Sequence, residues 1–60
     1  MDLKFRLHQR VMIKEIERPG IVKQINIDDG GIQYEVRYFW DGEVKTVWFY
    51  ADELMERKDG

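Results

Sequence analysis

The sequence has no cysteine, a single proline, a single histidine and no apolar run of bilayer-spanning length. Without cysteine there is no disulfide staple and no thiolate metal site, and His8 alone cannot build a zinc site without carboxylates or another subunit. No metal and no cofactor are expected. The first nine residues, MDLKFRLHQ, carry charges at Asp2, Lys4 and Arg6 and lack the apolar core of a signal peptide, so a cytoplasmic protein with no membrane segment is expected. A charge excess is also missing. Ten Lys and Arg against twelve Asp and Glu give a net charge of -2, whereas a clear basic excess is the usual footprint of a nucleic-acid binder. The charges are unevenly spread, however. Lys4, Arg6, Arg10 and Lys14 crowd the first quarter, and Asp52, Glu53, Glu56 and Asp59 crowd the tail. A local basic stripe is therefore compatible with an acidic chain.

There are no repeats, linkers or low-complexity segments. Sixty residues make one domain, taken here as 1–60 with its core in 5–57. A chain this short buries roughly 60% of the surface that its unfolded form exposes. Its own stability is then small, and self-association becomes a plausible source of further core.

What is present is concentrated in residues 32–50, IQYEVRYFWDGEVKTVWFY, where two β-branched and aromatic runs flank Asp41-Gly42. That dipeptide supplies the positive φ angles of a tight hairpin turn. Five of the eight aromatics, Phe39, Trp40, Trp48, Phe49 and Tyr50, fall within twelve residues there. A two-residue turn pairs Trp40 with Glu43, Tyr38 with Lys45, Val36 with Val47 and Tyr34 with Phe49 on one side. It pairs Gln33 with Tyr50, Glu35 with Trp48, Arg37 with Thr46 and Phe39 with Val44 on the other. The first side is taken as core.

Elsewhere, residues 10–16 read as a strand through Val11 and Ile13, ending at a turn over Glu17-Arg18-Pro19-Gly20. A helix over residues 2–18 competes, with Leu3, Leu7, Val11 and Ile16 on one stripe, but the β-branched density favours a strand. Residues 20–27 form a second strand that needs a bulge to bring Val22 and Ile25 to one face. Asp28-Asp29-Gly30-Gly31 is a loop, residues 32–40 and 43–50 are strands, Ala51 to Leu54 is a helical turn, and residues 55–57 are a last strand. Lys58-Asp59-Gly60 is expected to fray. The fold class is all-β, a five-stranded, partly open barrel. Ile13, Val22, Ile25, Tyr34, Val36, Val47, Phe49 and Leu54 are expected in its core, and His8 at the surface.

The order Arg10-Val11, Pro19-Gly20-Ile21-Val22, Tyr34-Glu35-Val36-Arg37-Tyr38, Asp41-Gly42 and Asp52-Glu53-Leu54 resembles the small SH3-like barrels of the KOW and Tudor type. The match covers residues 5–57 and looks most like short stand-alone versions carried by bacteria, prophages and phages. Two departures stand out: His8-Gln9 replaces the Gly-Asp that commonly precedes the first strand, and Phe39-Trp40 lengthens the approach to the hairpin turn. The resemblance implies a non-catalytic binding module. Tudor-type barrels contact protein tails or adaptors, and KOW-type barrels contact RNA or the transcription and translation machinery. A methyl-lysine cage is not expected, because the aromatics lie along two strands instead of converging from loops.

The expected partner-binding residues are Arg37, Phe39, Trp48 and Tyr50, with a protein partner or a second copy favoured. For a nucleic-acid partner, Lys4, Arg6, Arg10, Lys14, Lys23 and Arg37 are the expected phosphate contacts, and Trp48 and Tyr50 the stacking platforms. A third reading comes from plasmid-type dihydrofolate reductases, homotetrameric SH3-like barrels that use NADPH. Their pore-lining Val-Gln-Ile-Tyr before Leu-Glu-Arg is similar to Val47-Trp48-Phe49-Tyr50 before Leu54-Met55-Glu56-Arg57. Tyr50 carries over, but Trp48 replaces the ligand-contacting Gln, Phe49 replaces the Ile, and Ile13 falls near the pore Lys, with Lys14 adjacent. These departures fill the pore and remove its amide. The pair Asp52-Glu53 is read as a helix-terminus feature and not as an acid–base pair.

Overall fold

In a computed structural model, which describes residues 3–57, Asp41 and Gly42 take φ angles of 51° and 77°. These are the two left-handed conformations that a type I′ hairpin turn requires. On either side run β3 (Gly31–Trp40) and β4 (Glu43–Tyr50), paired from Trp40↔Glu43 to Gln33↔Tyr50 in the register read from the sequence. The remaining elements are β1 (Arg10–Ile13), β2 (Arg18–Asp28), a 3-10 turn (Ala51–Glu53) and β5 (Leu54–Glu56). All five strands form one antiparallel sheet in the order β4-β3-β2-β1-β5, which is not closed: β4 and β5 are its two edges. The described residues contain no α-helix, so residues 10–13 are strand as expected. The frayed end expected at residues 58–60 lies outside the described residues.

The first connection sits earlier than the sequence suggests. It occupies residues 14–17, where Glu17 takes φ 53°, and Arg18 and Pro19 already belong to β2 opposite Ile13 and Met12. Pro19 lies at the start of its strand, where a missing N–H is tolerated. Gly20 does not make the reversal. It is buried opposite Val11 and Tyr38, and a Cβ added there would run into the Val36 side chain, so glycine is needed for close approach between strands. The bulge expected in the second strand is present between Val22 and Gln24. It returns Ile25 to the side of Val22, opposite Tyr34.

The core consists of Phe5, Val11, Ile13, Val22, Tyr34, Val36 and Leu54. Of the expected core residues, Ile25 and Phe49 are only partly buried against it, and Val47 is 39% exposed. The reason is architectural. β4 is an edge strand, and the main filler of the core comes from the other direction: Phe5, ahead of β1, meets Tyr34 edge-to-face at a centroid distance of 5.3 Å. The core is therefore centred on β1 to β3 and thins out toward β4.

Tyr34 also fixes that incoming segment. Its hydroxyl oxygen accepts the backbone N–H groups of Lys4 at 3.1 Å and Phe5 at 3.4 Å. The segment then turns, with Gln9 Oε1 accepting the Arg6 N–H at 2.9 Å and His8 at φ 68°. His8 N–H donates to the Val22 carbonyl at 2.7 Å, and Val22 N–H donates to the Gln9 carbonyl at 3.0 Å. His8-Gln9 thus forms a working turn, with a left-handed residue and a side-chain acceptor. A Tyr34→Phe substitution keeps the ring but orphans the Phe5 N–H in the interior, and is expected to cost about 1–3 kcal/mol. At about 4–8 °C per kcal/mol for a domain of this size, the melting temperature by circular dichroism should drop visibly. An unchanged melting temperature would contradict the role of the hydroxyl.

Candidate functional site

Strand pairing builds the outward face of the sheet row by row, because side chains of paired residues stand on the same side. One row runs Arg10↔Ile21↔Arg37↔Thr46 across β1, β2, β3 and β4. Arg57 extends it, since its N–H donates to the Arg10 carbonyl at 3.3 Å. Toward the hairpin turn lies the Phe39↔Val44 pair, and in the other direction lie Glu35↔Trp48 and then Gln33↔Tyr50. The apolar members are open to solvent: Phe39 is 56% exposed, Val44 55%, Trp48 40% and Tyr50 47%. Trp40 belongs to the opposite side, and its ring is covered by the Arg18 guanidinium at 4.9 Å.

The four residues expected to bind a partner all stand on this face, yet they fall into two patches. Arg37 and Phe39 line a groove of about 290 Å³ together with Arg10, Arg57, Ile21 and Val44. Trp48 and Tyr50 lie outside it, beside Glu35 and Gln33. Arg37 forms no ion pair with any described carboxylate, Glu35 included.

A second, wider depression of about 630 Å³ is lined by Lys4, Arg6, His8, Arg10 and Arg57 with Glu56, and the two share Arg10 and Arg57. Among the described residues, five of the nine Lys and Arg line this one region, against one of the ten acidic residues. The net charge of -2 conceals a local gathering of basic side chains among the described residues. Of the cations expected to contact phosphate, Lys4, Arg6, Arg10 and Arg37 are brought together here. Lys14 and Lys23 line neither depression: Lys14 sits in the turn after β1, its N–H donating to the Glu53 carbonyl at 3.1 Å, and Lys23 is exposed at the bulge. Arg57 was not singled out from the sequence. Alternation from the buried Leu54 would have revealed it, since Met55 and Arg57 point the other way.

Among the described residues no group of three or more His, Cys, Asp or Glu is placed to hold a metal ion, and no helix is long and apolar enough to cross a membrane. Glu53, half of the carboxylate pair, is engaged in the backbone: its Oε1 accepts the Tyr50 N–H at 2.8 Å. No family model matches the chain, and no curated protein or solved structure matches it either.

The exposure of Trp48 and Tyr50 has a direct consequence for stability. Trp48→Ser and Tyr50→Ser should each lower monomer stability by no more than about 1 kcal/mol, the scale of a cross-strand surface pair. Chemical denaturation at a concentration where the protein sediments as a monomer measures this. A loss more than twice as large would place either ring in the interior.

Proposed function

We propose that the chain is a non-catalytic binding module that engages a protein partner, another copy included, through the outward face of β3 and β4. The observation that supports this reading is the row of exposed Phe39, Val44, Trp48 and Tyr50 on a sheet whose core lies on the other side. Large aromatic side chains on a surface are suited to protein contact, because they offer much area at a small entropic cost. Catalysis is not part of the proposal. Trp48 and Phe49 stand where the reductase resemblance calls for the amide and aliphatic groups that meet nicotinamide and pterin.

Nucleic acid is a second reading, and it draws on a different observation: the convergence of Lys4, Arg6, Arg10, Arg37 and Arg57. The two readings separate experimentally. A photo-crosslinking amino acid at position 48 or 50 should yield protein adducts, either with a second copy or with one reproducible partner, and a crosslinker at the exposed turn residue Glu15 should not. Trp48→Ala should reduce the assembly seen by sedimentation or the capture of that partner. Unchanged assembly and capture in Trp48→Ala would refute the protein reading. Nuclease-sensitive adducts, with oligonucleotide affinity falling steeply as salt is raised, would favour the nucleic-acid reading.

A further inference from the structure

The free edge of β4 carries a defined set of backbone groups. Trp40 and Glu43 close the two-residue turn and exchange hydrogen bonds, and the antiparallel ladder alternates from there. Glu43, Lys45, Val47 and Phe49 therefore turn their N–H and C=O groups toward β3, and Val44, Thr46, Trp48 and Tyr50 turn theirs away from it. The Tyr50 N–H follows this alternation, since it donates to Glu53 Oε1 instead of to β3. That same bond ends the free ladder. Among the described residues β4 has no neighbouring strand on this side. Three rungs thus stay open between the hairpin turn and the Glu53 cap, at Val44, Thr46 and Trp48, evenly spaced about Thr46.

We infer that the β4 edge pairs antiparallel with the β4 edge of a second copy, on a two-fold axis through Thr46, joining the two five-stranded sheets into one. The inference rests on the proposed role in protein contact and names the partner as this chain itself. On that axis Thr46 faces Thr46, and Val44 of each copy faces Trp48 of the other. Three hydrogen-bonded pairs would add about six backbone bonds. The axis stands perpendicular to the sheet, so Phe39, Trp48 and Tyr50 stay on one outward face in both copies.

Three features favour a second copy in this register. The edge is complementary to itself, because Thr–Thr and aromatic–β-branched pairs are among the stabilising cross-strand pairs, and Val44 and Trp48 are both open to solvent in the single copy. The charges also permit it. Glu43 and Lys45 are the only charged side chains of β4 and lie 3.7 Å apart, so each copy offers an edge without net charge. The two Lys45 side chains come diagonal to one another at about 7–8 Å, each beside its own Glu43, and each stem covers the exposed Val47 of the other copy. Finally, the alternatives are poorer. β5 has only three residues, and pairing β4 of one copy with β5 of another is head-to-tail, which leaves an open end at every step. Moving the axis to Val47 would set Val44 against the Tyr50 N–H that Glu53 already fills.

Sedimentation across a concentration series, combined with thiol crosslinking, tests the pairing. The wild type should pass from monomer to dimer and go no further. Thr46 is exposed with its N–H on the free edge, where proline is tolerated, so Thr46→Pro should keep the wild-type circular dichroism spectrum while weakening the dimer at least about tenfold through two lost hydrogen bonds. Thr46→Lys leaves the backbone intact and sets like charges opposite one another, and it should weaken the dimer as well. The chain has no cysteine, so one introduced thiol reports the register. Thr46→Cys should oxidise to a covalent dimer, because a hydrogen-bonded pair has its Cα atoms about 5.5 Å apart. Val47→Cys should not, since its copies lie beyond about 7 Å. A monomer at every concentration up to about 1 mM, a dimer indifferent to both Thr46 variants, or a disulfide forming at position 47 in preference to 46 would overturn the inference. If no dimer forms while crosslinks from position 48 still report another protein, only the edge pairing falls. If both fail, the binding-module reading falls with it.

Discussion

The phenolic oxygen of Tyr34 holds the rest of this small structure in place. It accepts two backbone N–H groups from a segment about thirty residues away, and its ring packs edge-to-face against Phe5 from that same segment. Without that tie, Phe5 has no fixed place in the core, and a chain of this size has little apolar area to spare. The same tie also acts on the surface. It brings the segment carrying Lys4 and Arg6 alongside β1 and β5, where Arg10 and Arg57 are found. One hydroxyl therefore links the interior to the electrostatics of the outside.

Packing the core on one side of a single open sheet leaves the other side without a covering layer among the described residues. Most domains bury a sheet face against a second layer. Here that layer is a short segment led by Phe5 and a 3-10 turn on the core side. The consequence is greatest at β4, where Val44, Trp48 and Tyr50 are open outward and Val47 is open inward as well. An edge strand with apolar side chains on both faces is prone to pair with other chains. Lys45, half-buried and 3.7 Å from Glu43, is one of the few charges that blunt it. The exposed aromatics and the open edge thus have one physical origin.

Most of the strand framework was legible because its signals were local. Asp41-Gly42 dictated the hairpin register residue for residue, and the spacing of Val22 and Ile25 demanded a bulge that is present. Where the reading went astray, the deciding contact was distant in sequence. Phe5 was not among the side chains expected in the core, and only its meeting with Tyr34 makes it core. Val47 had the right alternation for burial, but alternation says nothing about whether a strand is an edge. The turn before β2 moved because Gly20 was judged by its freedom to bend, whereas it is required for its lack of a Cβ against Val36. The outward residues Arg37, Phe39, Trp48 and Tyr50 were readable from periodicity. Their division into an arginine groove and a separate aromatic patch was not, since it depends on the lateral order of five strands.

The central claim is that the outward face of β3 and β4 is bare in the single protomer while the Tyr34 side is sealed. Solvent paramagnetic relaxation measured by NMR on a labelled, demonstrably monomeric sample addresses it directly. The account expects strong broadening of the Phe39, Trp48 and Tyr50 ring signals and the Val44 methyls, with the Phe5 and Tyr34 rings and the Val22 and Val36 methyls nearly unaffected. A protected Trp48 indole in the monomer, or a Tyr34 ring as accessible as Tyr50, would contradict it.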